Sequence, residues 1–321
     1  MGKNELPPCD YKPALQFYLR EVEEGGNLLV PGEFRAAMDA LARRSCLVLV
    51  HGFNNSYSGA ADAYLAFRRM EKKWYTEVEA ERFEARFGDT FWPGDADWGF
   101  FDKLDFLIYP RSVHTAVDAG RALADLLLRM PSLERVDFIA HSLGCRVVLE
   151  ALDALRDEPR LQIGRVVLMA AAVPSEMLEP GGRFFELMMG LWRDGIQVRT
   201  HHSLADRVLH YAFPPGQTLA GVTEASGRAL GRYGPSVMMP GWSRTISDVK
   251  VKGADHSDYW GGGKAEPSEQ STKAAGAFLG LGDLPRELSS VRDIASVATL
   301  PPRRPLGTVR PLAAPVKCRK T

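Results

Sequence analysis

The sequence predicts an α/β protein built on a mostly parallel central sheet with helices on both faces. Residues 46–50 form a continuous apolar run, as a parallel strand that is buried on both faces requires. A second apolar run, residues 136–140, leads almost at once into a helical pattern of apolar side chains. Because strands and helices alternate in this way along the chain, we expect helical crossover connections between parallel strands.

The other elements follow from the spacing of their apolar residues. We predict an amphipathic segment and an edge strand within residues 10–45. Long helices are predicted over residues 60–82 and 112–130, the second ended by Pro131. Four more strands are predicted: one ending at residues 90–93, and others over residues 161–172, 196–202 and 246–251.

These patterns divide the chain into three predicted regions. Residues 1–44 form an N-terminal extension that packs on the core, residues 45–282 form a single α/β domain, and residues 283–321 form a mobile, basic, proline-rich tail. Within the domain, residues 175–194 and 213–244 are candidates for a cap or lid, because they combine apolar and methionine-rich stretches. A surface loop without a function is an equally good interpretation of either segment.

The most specific motif is the sequence Ala-His-Ser-Leu-Gly at residues 140–144, between the predicted strand and helix. It is a G-x-S-x-G nucleophile elbow in which alanine replaces the first glycine. The tight turn requires nearly side-chain-free residues two positions before and two positions after the serine, and Ala140 and Gly144 meet that demand. Ser142 is therefore the predicted nucleophile, and the N–H of Leu143 is a predicted donor to a substrate oxyanion.

A serine hydroxyl needs a general base, and the base needs a carboxylate that orients it. With this elbow, the acid and then the histidine follow the serine along the chain. His256 lies in a polar loop after the last predicted strand, and Asp206 follows the strand at residues 196–202. We therefore predict Asp206 as the acid and His256 as the base. Asp255 and Asp258 are the alternatives for the acid, less favoured because they adjoin His256 in sequence.

A second oxyanion donor is expected after an earlier strand. The run at residues 46–50 ends in His51-Gly52-Phe53, where Gly52 permits close approach of the backbone to a substrate. The N–H of Phe53 is the predicted donor.

The motifs together resemble the α/β-hydrolases, and more narrowly a bacterial family of esterase/lipase-like hydrolases of largely unassigned function. The matching segments are residues 50–56, 91–94, 140–144, 167–174, 203–209 and 255–257. Gly94 stands where that family usually has serine, and the residues before the acid also differ. The resemblance implies a serine hydrolase and no particular substrate.

Further residues near the predicted strand ends are candidates for the substrate pocket. They are His51, Asn54, Trp92, Trp98, His141 and Trp242. For His51 and His141 a purely structural role is the stronger interpretation, and for the tryptophans core packing is the alternative. A metal site at His201 and His202 is not favoured, because adjacent residues of a strand point to opposite faces. We expect no metal and no organic cofactor.

Composition narrows the classes of partner. The chain has 321 residues with 40 basic and 40 acidic side chains, so its formal net charge is zero. This balance offers no electrostatic attraction for nucleic acid or an anionic membrane surface. The first residues lack the pattern of a signal peptide, no apolar run is long enough to span a membrane, and four scattered cysteines fit a reducing compartment. We therefore predict a cytoplasmic protein.

The predicted function is hydrolysis of carboxylic esters through an acyl-enzyme on Ser142. The apolar cap candidates favour a small ester or lipid-like substrate with a medium-length acyl chain. Two alternatives stay open: a thioesterase with the same three residues, and a catalytically silent protein that binds a protein partner through the lid or the tail.

Overall fold

The computed structural model of the chain describes residues 11–20, 29–36, 38–53, 55–74, 84–94, 109–214, 228–235, 246–281 and 309–311. Its strands are β1 (Leu15–Arg20), β2 (Leu29–Ala36), β3 (Ser45–Val50), β4 (Phe87–Phe91), β5 (Arg135–His141), β6 (Gln162–Met169), β7 (Val198–His202), β8 (Ile246–Lys250) and β9 (Val309–Pro311). The helices are α1 (Tyr57–Lys72), α2 (Tyr109–Arg129), α3 (Gly144–Leu155), α4 (Phe185–Arg193), α5 (Arg207–Tyr211), α6 (Leu230–Tyr233) and α7 (Ala265–Leu279). Short 3₁₀ helices lie at Met38–Ala42 and Ser175–Leu178.

All nine strands belong to one sheet, in the order β8-β7-β6-β5-β3-β4-β1-β2-β9. Strands β1 and β3 to β8 run in one direction, whereas β2 is antiparallel to β1 and β9 is parallel to β2. The predicted mostly parallel sheet is therefore confirmed. Its two antiparallel members lie together at one edge.

Helices cover both faces of the sheet because the chain changes direction across it. From β3 the chain moves through α1 to β4 on one side, and from β5 it moves through α3 to β6 on the other side. Since parallel crossovers are right-handed, these opposite moves put α1 and α3 on opposite faces. Helix α2 packs on α3, and α7 packs on α1.

The sheet interior is apolar. Every residue from Cys46 to Val50 is fully buried, which agrees with the apolar run that predicted β3. Strand β1 is also buried along its whole length, between β4 and β2. Both β1 and β2 fall within the predicted N-terminal extension, so that part of the chain contributes strands to the same sheet.

Several element boundaries differ from the predictions; the strand predicted over residues 161–172, for example, spans Gln162–Met169. Helix α1 ends at Lys72, ten residues before the predicted end, and residues 75–83 lie outside the described part of the chain. Of the tail predicted to be mobile, Val309–Pro311 forms β9 against β2, and its other residues are not described. None of the helices in the described ranges has the length and apolar character that a bilayer-spanning segment needs.

Candidate active site

Ser142 lies at the sharp turn between β5 and α3. Its φ angle is +53°, in the left-handed region that non-glycine residues seldom adopt. The Ser142 N–H donates to the carbonyl of Met169 at 2.9 Å, and the Ser142 carbonyl accepts from the N–H of Ala172 at 3.1 Å. A Cβ at Gly144 would overlap the carbonyl oxygen of His51, so the turn tolerates no side chain there. These contacts hold the strained conformation in place.

The structure brings Ser142, His256 and Asp206 into one hydrogen-bonded chain. His256 Nε2 lies 2.8 Å from Ser142 Oγ, and His256 Nδ1 lies 2.8 Å from Asp206 Oδ2. Because an ionised carboxylate only accepts hydrogen bonds, Nδ1 carries the proton and Nε2 is free to accept the serine hydroxyl proton. The three residues follow β5, β7 and β8, so their side chains meet at the carboxyl edge of the sheet.

The Asp206 carboxylate is completely buried and fully hydrogen-bonded. Its Oδ1 accepts from the N–H of Leu209 at 2.9 Å, so the residue also caps the N-terminus of α5. The guanidinium of Arg232 donates to the Asp206 carbonyl oxygen at 2.6 Å. One carboxylate oxygen is thus used to fix the acid, and the other to orient the histidine.

The two alternative acids bind other partners. The Asp255 carboxylate accepts hydrogen bonds from Arg207 and from the backbone N–H of His256. The Asp258 carboxylate accepts from the N–H groups of Asp255 and Lys264, both at 2.8 Å. Burial raises the pKa of each carboxyl, but these hydrogen bonds outweigh it and leave both pKa values below the usual range. Asp206 is the carboxylate that contacts the imidazole.

The loop after β3 lies directly against the nucleophile. A Cβ at Gly52 would lie 2.7 Å from Ser142 Cβ, so glycine permits an approach that no other residue would. The Gly52 carbonyl accepts from Asn55 Nδ2 at 3.3 Å and from His51 Nδ1 at 2.8 Å. Because the peptide is planar, these bonds orient the following Phe53 N–H away from Asn55 and His51. Leu143 is the N-cap residue of α3, at the end of the helix where the first amides have no partner within the helix.

His51 and Trp92 support the loop after β3 through hydrogen bonds and ring stacking. The Trp92 indole N–H donates to the His51 carbonyl at 2.8 Å, the Trp92 backbone N–H donates to His51 Nε2 at 3.3 Å, and the two rings stack. The Tyr64 hydroxyl accepts from the His51 N–H at 3.0 Å and donates to the Thr90 carbonyl. His51 and Trp92 are both buried, so they support the loop rather than line an open pocket.

His141, which precedes the nucleophile, contacts the loop of the base. Its Nε2 donates to the backbone carbonyl of His256 at 2.7 Å, and the two rings lie 5.0 Å apart. Burial, together with the nearby His256, lowers the pKa of His141 to about 3. His141 is therefore neutral near pH 7 and links β5 to the loop that carries the base.

The remaining pocket candidates lie in parts of the chain that the structure does not describe. Asn54, Trp98 and Trp242 lie outside the described residues, as does most of the second cap candidate, residues 213–244. In the first cap candidate, residues 175–194, the side chains of Phe184 and Met188 are buried in the core. Arg183 joins that segment to α3 through ion pairs at 2.8 Å with Glu150 and Asp153. A lid is not confirmed, and residues 175–194 are held firmly against the domain.

Several supporting residues were missed by sequence reasoning. Asn55 lies in the matching segment at residues 50–56, and Tyr64 lies in the predicted helix at residues 60–82. Neither has a local sequence signal for its contact with the loop after β3. Arg207 carried no signal beyond following the acid, because its partner lies 48 residues away along the chain. No metal ligands emerge either: within the described ranges, no three or more His, Cys, Asp or Glu side chains are arranged to hold a metal ion.

Three buried histidines make stability depend on pH. Burial lowers the pKa of His51, His141 and His201 to about 3. Their folded-state pKa values lie below the unfolded value of about 6.5, so the unfolded chain binds more protons. The free energy of unfolding should therefore fall as pH drops from about 6.5 toward 3. Above that range the contribution of these three neutral histidines to stability is complete.

His201 tests this dependence away from the active site. Its Nδ1 bonds to Ser271 at 2.9 Å, and its Nε2 has no hydrogen-bond partner among the described residues. His201→Asn should reduce the slope of unfolding free energy against pH by up to one proton, about 1.4 kcal/mol per pH unit, measured by urea unfolding between pH 4 and 6. His114→Asn, on an exposed part of α2, is the control. An unchanged slope for His201→Asn would contradict the neutral buried state.

The fold and the serine elbow define the class: the protein has the α/β-hydrolase fold. Residues 32–180, somewhat less than half of the chain, match a family model described as "Alpha/beta hydrolase of unknown function (DUF900)". The chain thus resembles an α/β-hydrolase family whose function is unassigned. No functionally curated protein is detectably similar to it in sequence.

Solved structures with the same fold are distant in sequence. An uncharacterized protein from Bacillus cereus ATCC 10987 is 13% identical with a TM-score of 0.41, over 74% of this chain and 60% of that one. A putative hydrolase from Agrobacterium vitis S4 is 13% identical with a TM-score of 0.38, over 74% and 90%. A Thermogutta terrifontis esterase, Est2, is 13% identical with a TM-score of 0.37, over 83% and 94%. Similarity at this level says nothing about a substrate.

Proposed function

We propose that the protein is a serine hydrolase that cleaves carboxylic esters through an acyl-enzyme on Ser142. The observation that carries the proposal is the unbroken chain of hydrogen bonds from Ser142 Oγ through the His256 imidazole to the buried carboxylate of Asp206, with both links at 2.8 Å. Such an arrangement activates a serine hydroxyl, which is otherwise a weak nucleophile.

In the first half of the reaction, Ser142 Oγ attacks the ester carbonyl carbon while its proton passes to His256 Nε2. Asp206 stabilises the resulting imidazolium and keeps its Nδ1 proton directed at the carboxylate. The carbonyl oxygen becomes an oxyanion, which the N–H groups of Leu143 and Phe53 bind. The tetrahedral intermediate then collapses, the bond to the alcohol oxygen breaks, and the imidazolium returns its proton to the leaving alcohol.

In the second half, water replaces the alcohol. His256 takes a proton from the water as it attacks the acyl carbon, and the bond to Ser142 Oγ breaks. The proton passes to that oxygen, so the carboxylic acid leaves and the serine is regenerated. His256 thus acts twice as base and twice as acid. The residues described here supply the whole proton path.

Labelling by a fluorophosphonate probe tests the proposal, because the probe reacts with activated serines. We expect wild-type protein to be labelled on one residue, Ser142, as located by mass spectrometry of the digested adduct. Ser142→Ala should abolish the labelling, whereas Ser257→Ala, at an exposed serine of the adjacent loop, should retain it. Folded wild-type protein that stays unlabelled would overturn the proposal and favour the catalytically silent alternative.

Matched compounds then identify the class of substrate. A panel of p-nitrophenyl esters from acetate to octanoate, alongside the corresponding thioesters, separates an esterase from a thioesterase. The expectation of medium acyl chains comes from the apolar side chains of the two cap candidates. Phe184 and Met188 are buried in the core and do not support it, whereas Phe185 and Met189 are partly buried. Met238, Met239 and Trp242 lie outside the described residues.

A further inference from the structure

The acid and the base of the candidate site are carried by different loops. Asp206 follows β7 and His256 follows β8, and 50 residues separate them along the chain. A hydrogen bond of 2.8 Å between their side chains holds only if the two loops keep a fixed relative position. The backbone around each residue shows what holds them.

The Asp255 carboxylate joins the two loops. Its Oδ1 accepts from the backbone N–H of Arg207, the residue after the acid, at 3.1 Å. The same oxygen accepts from the backbone N–H of His256, the base itself, at 3.0 Å. One oxygen atom thus binds the main chain of both loops. In the first loop the donor is the residue after Asp206, and in the second loop it is His256 itself.

The second oxygen of Asp255 receives a charged partner. Arg207 Nε lies 2.8 Å and Arg207 Nη2 lies 2.6 Å from Asp255 Oδ2. Most of the Arg207 side chain is exposed, at 78%, whereas the Asp255 side chain is 20% exposed. Hydrogen bonds between charged groups are stronger than neutral ones, so this pair reinforces the two backbone contacts.

The loop that carries His256 also forms hydrogen bonds with residues before α7 and with β5. Asp258 Oδ2 accepts from the Asp255 N–H at 2.8 Å, and Asp258 Oδ1 accepts from the Lys264 N–H at 2.8 Å, just before α7. His141 donates to the His256 carbonyl from β5. The Asp255 carboxylate adds a link through side-chain atoms between the base loop and the backbone of Arg207, the residue after the acid.

We propose that Asp255 is a positioning residue, which aligns His256 with Asp206 by bridging their two loops through Arg207. This inference rests on the proposed hydrolase function and deepens it. The contacts of Asp255 are with Arg207, the backbone N–H of His256 and Asp258, so its effect on catalysis passes through the orientation of the His256 ring. Catalysis is sensitive to such alignment, since a displacement of about 1 Å can cost about a hundredfold in rate.

Asp255→Asn and Arg207→Ala test the bridge in a double-mutant cycle on p-nitrophenyl butyrate. An asparagine keeps one acceptor oxygen but turns an N–H₂ group toward the Arg207 guanidinium. We expect Asp255→Asn to lower kcat about tenfold with KM nearly unchanged, and Arg207→Ala to lower kcat about threefold. The double variant should be no slower than Asp255→Asn alone, because both changes disrupt the same ion pair between Asp255 and the Arg207 side chain. Losses that multiply would overturn the proposal.

A spectroscopic readout separates positioning from a general loss of stability. The proton shared by His256 Nδ1 and Asp206 should give a far-downfield NMR resonance, which should broaden in Asp255→Asn and persist in the control. The control is Glu134→Gln, which breaks the exposed ion pair of 2.7 Å with Arg44. This pair lies at the amino ends of β3 and β5, whereas the candidate site lies at the carboxyl ends of the strands. An unaltered resonance and a kcat within twofold of wild type in Asp255→Asn would overturn the proposal.

The outcomes for the bridge and for the proposed function are distinct. Wild-type protein that is neither labelled nor active refutes the hydrolase itself, whereas active wild type with unaltered variants refutes only the bridge. A loss in Asp255→Asn as large as that in Asp206→Asn would make Asp255 the acid, which also overturns positioning. Should Asp255→Asn fail to fold, Arg207→Ala decides, because its exposed side chain can be removed with little effect on folding. An unchanged kcat in Arg207→Ala then refutes positioning through the Arg207 side chain.

Discussion

Replacing either Ser142 or His256 by alanine is expected to lower kcat on p-nitrophenyl butyrate by about 10⁵- to 10⁶-fold. Ser142→Ala removes the hydroxyl that the imidazole contacts at 2.8 Å, and His256→Ala leaves that hydroxyl without a base. The residual rate should reflect the oxyanion donors and substrate binding. Steady-state kinetics on purified variants, with circular dichroism to verify folding, measure the effect.

The double variant is the sharper part of this experiment. Because the two residues act as one unit, the double variant should be little slower than either single variant. Losses that multiply would mean that Ser142 and His256 contribute independently, contrary to the mechanism. His210→Ala, which removes an exposed histidine of α5, serves as the matched control and should keep wild-type activity.

Asp206→Asn is expected to have the second largest effect, a loss of about three to four orders of magnitude in kcat. The asparagine oxygen can still accept from the Leu209 N–H and cap α5, so folding should survive. Its N–H₂ group then faces His256 Nδ1, which must become an acceptor. The imidazole proton therefore moves to Nε2, and the ring can no longer take the proton of Ser142.

Asp248→Asn supplies the control for this substitution. Asp248 lies on the neighbouring strand β8, is half-exposed, and binds His202 at 3.0 Å without contacting the three candidate residues. Its replacement should leave kcat within a factor of about two. A silent Asp206→Asn combined with an inactive Asp255→Asn or Asp258→Asn would show that the acid is assigned to the wrong residue.

The main features of the fold could be predicted from the sequence because they depend on local patterns. The buried strand β3 is a continuous apolar run, and α3 repeats apolar residues with a helical period directly after the serine turn. Each pattern is contained in a few consecutive residues, so it is readable without the rest of the chain. The order of Ser142, Asp206 and His256 could be proposed in the same way, from strand ends and residue types.

The lengths of the elements and the order of the strands at the sheet edge could not be predicted as well from the sequence. The apolar pattern of α1 continues past Lys72, where the helix ends. The pairing of β9 with β2 joins Phe34 to Val309, which are about 275 residues apart, and a three-residue strand has no periodicity to recognise. Strand β1 also reads as part of an extension, although it is buried inside the sheet.

The sequence by itself determined the α/β class, the serine turn with its small neighbours, and the short set of acids and bases that could serve Ser142. Only the tertiary structure decided among those acids. Asp206 and Asp255 are both carboxylates near a strand end, and the sequence favoured Asp206 only because Asp255 adjoins His256 along the chain. In the folded chain, Asp206 contacts the imidazole, whereas Asp255 binds Arg207. The reason is physical: hydrogen bonding depends on distance and direction within a few tenths of an ångström, and residues about 50 positions apart acquire that geometry only when the strands carrying them pack side by side.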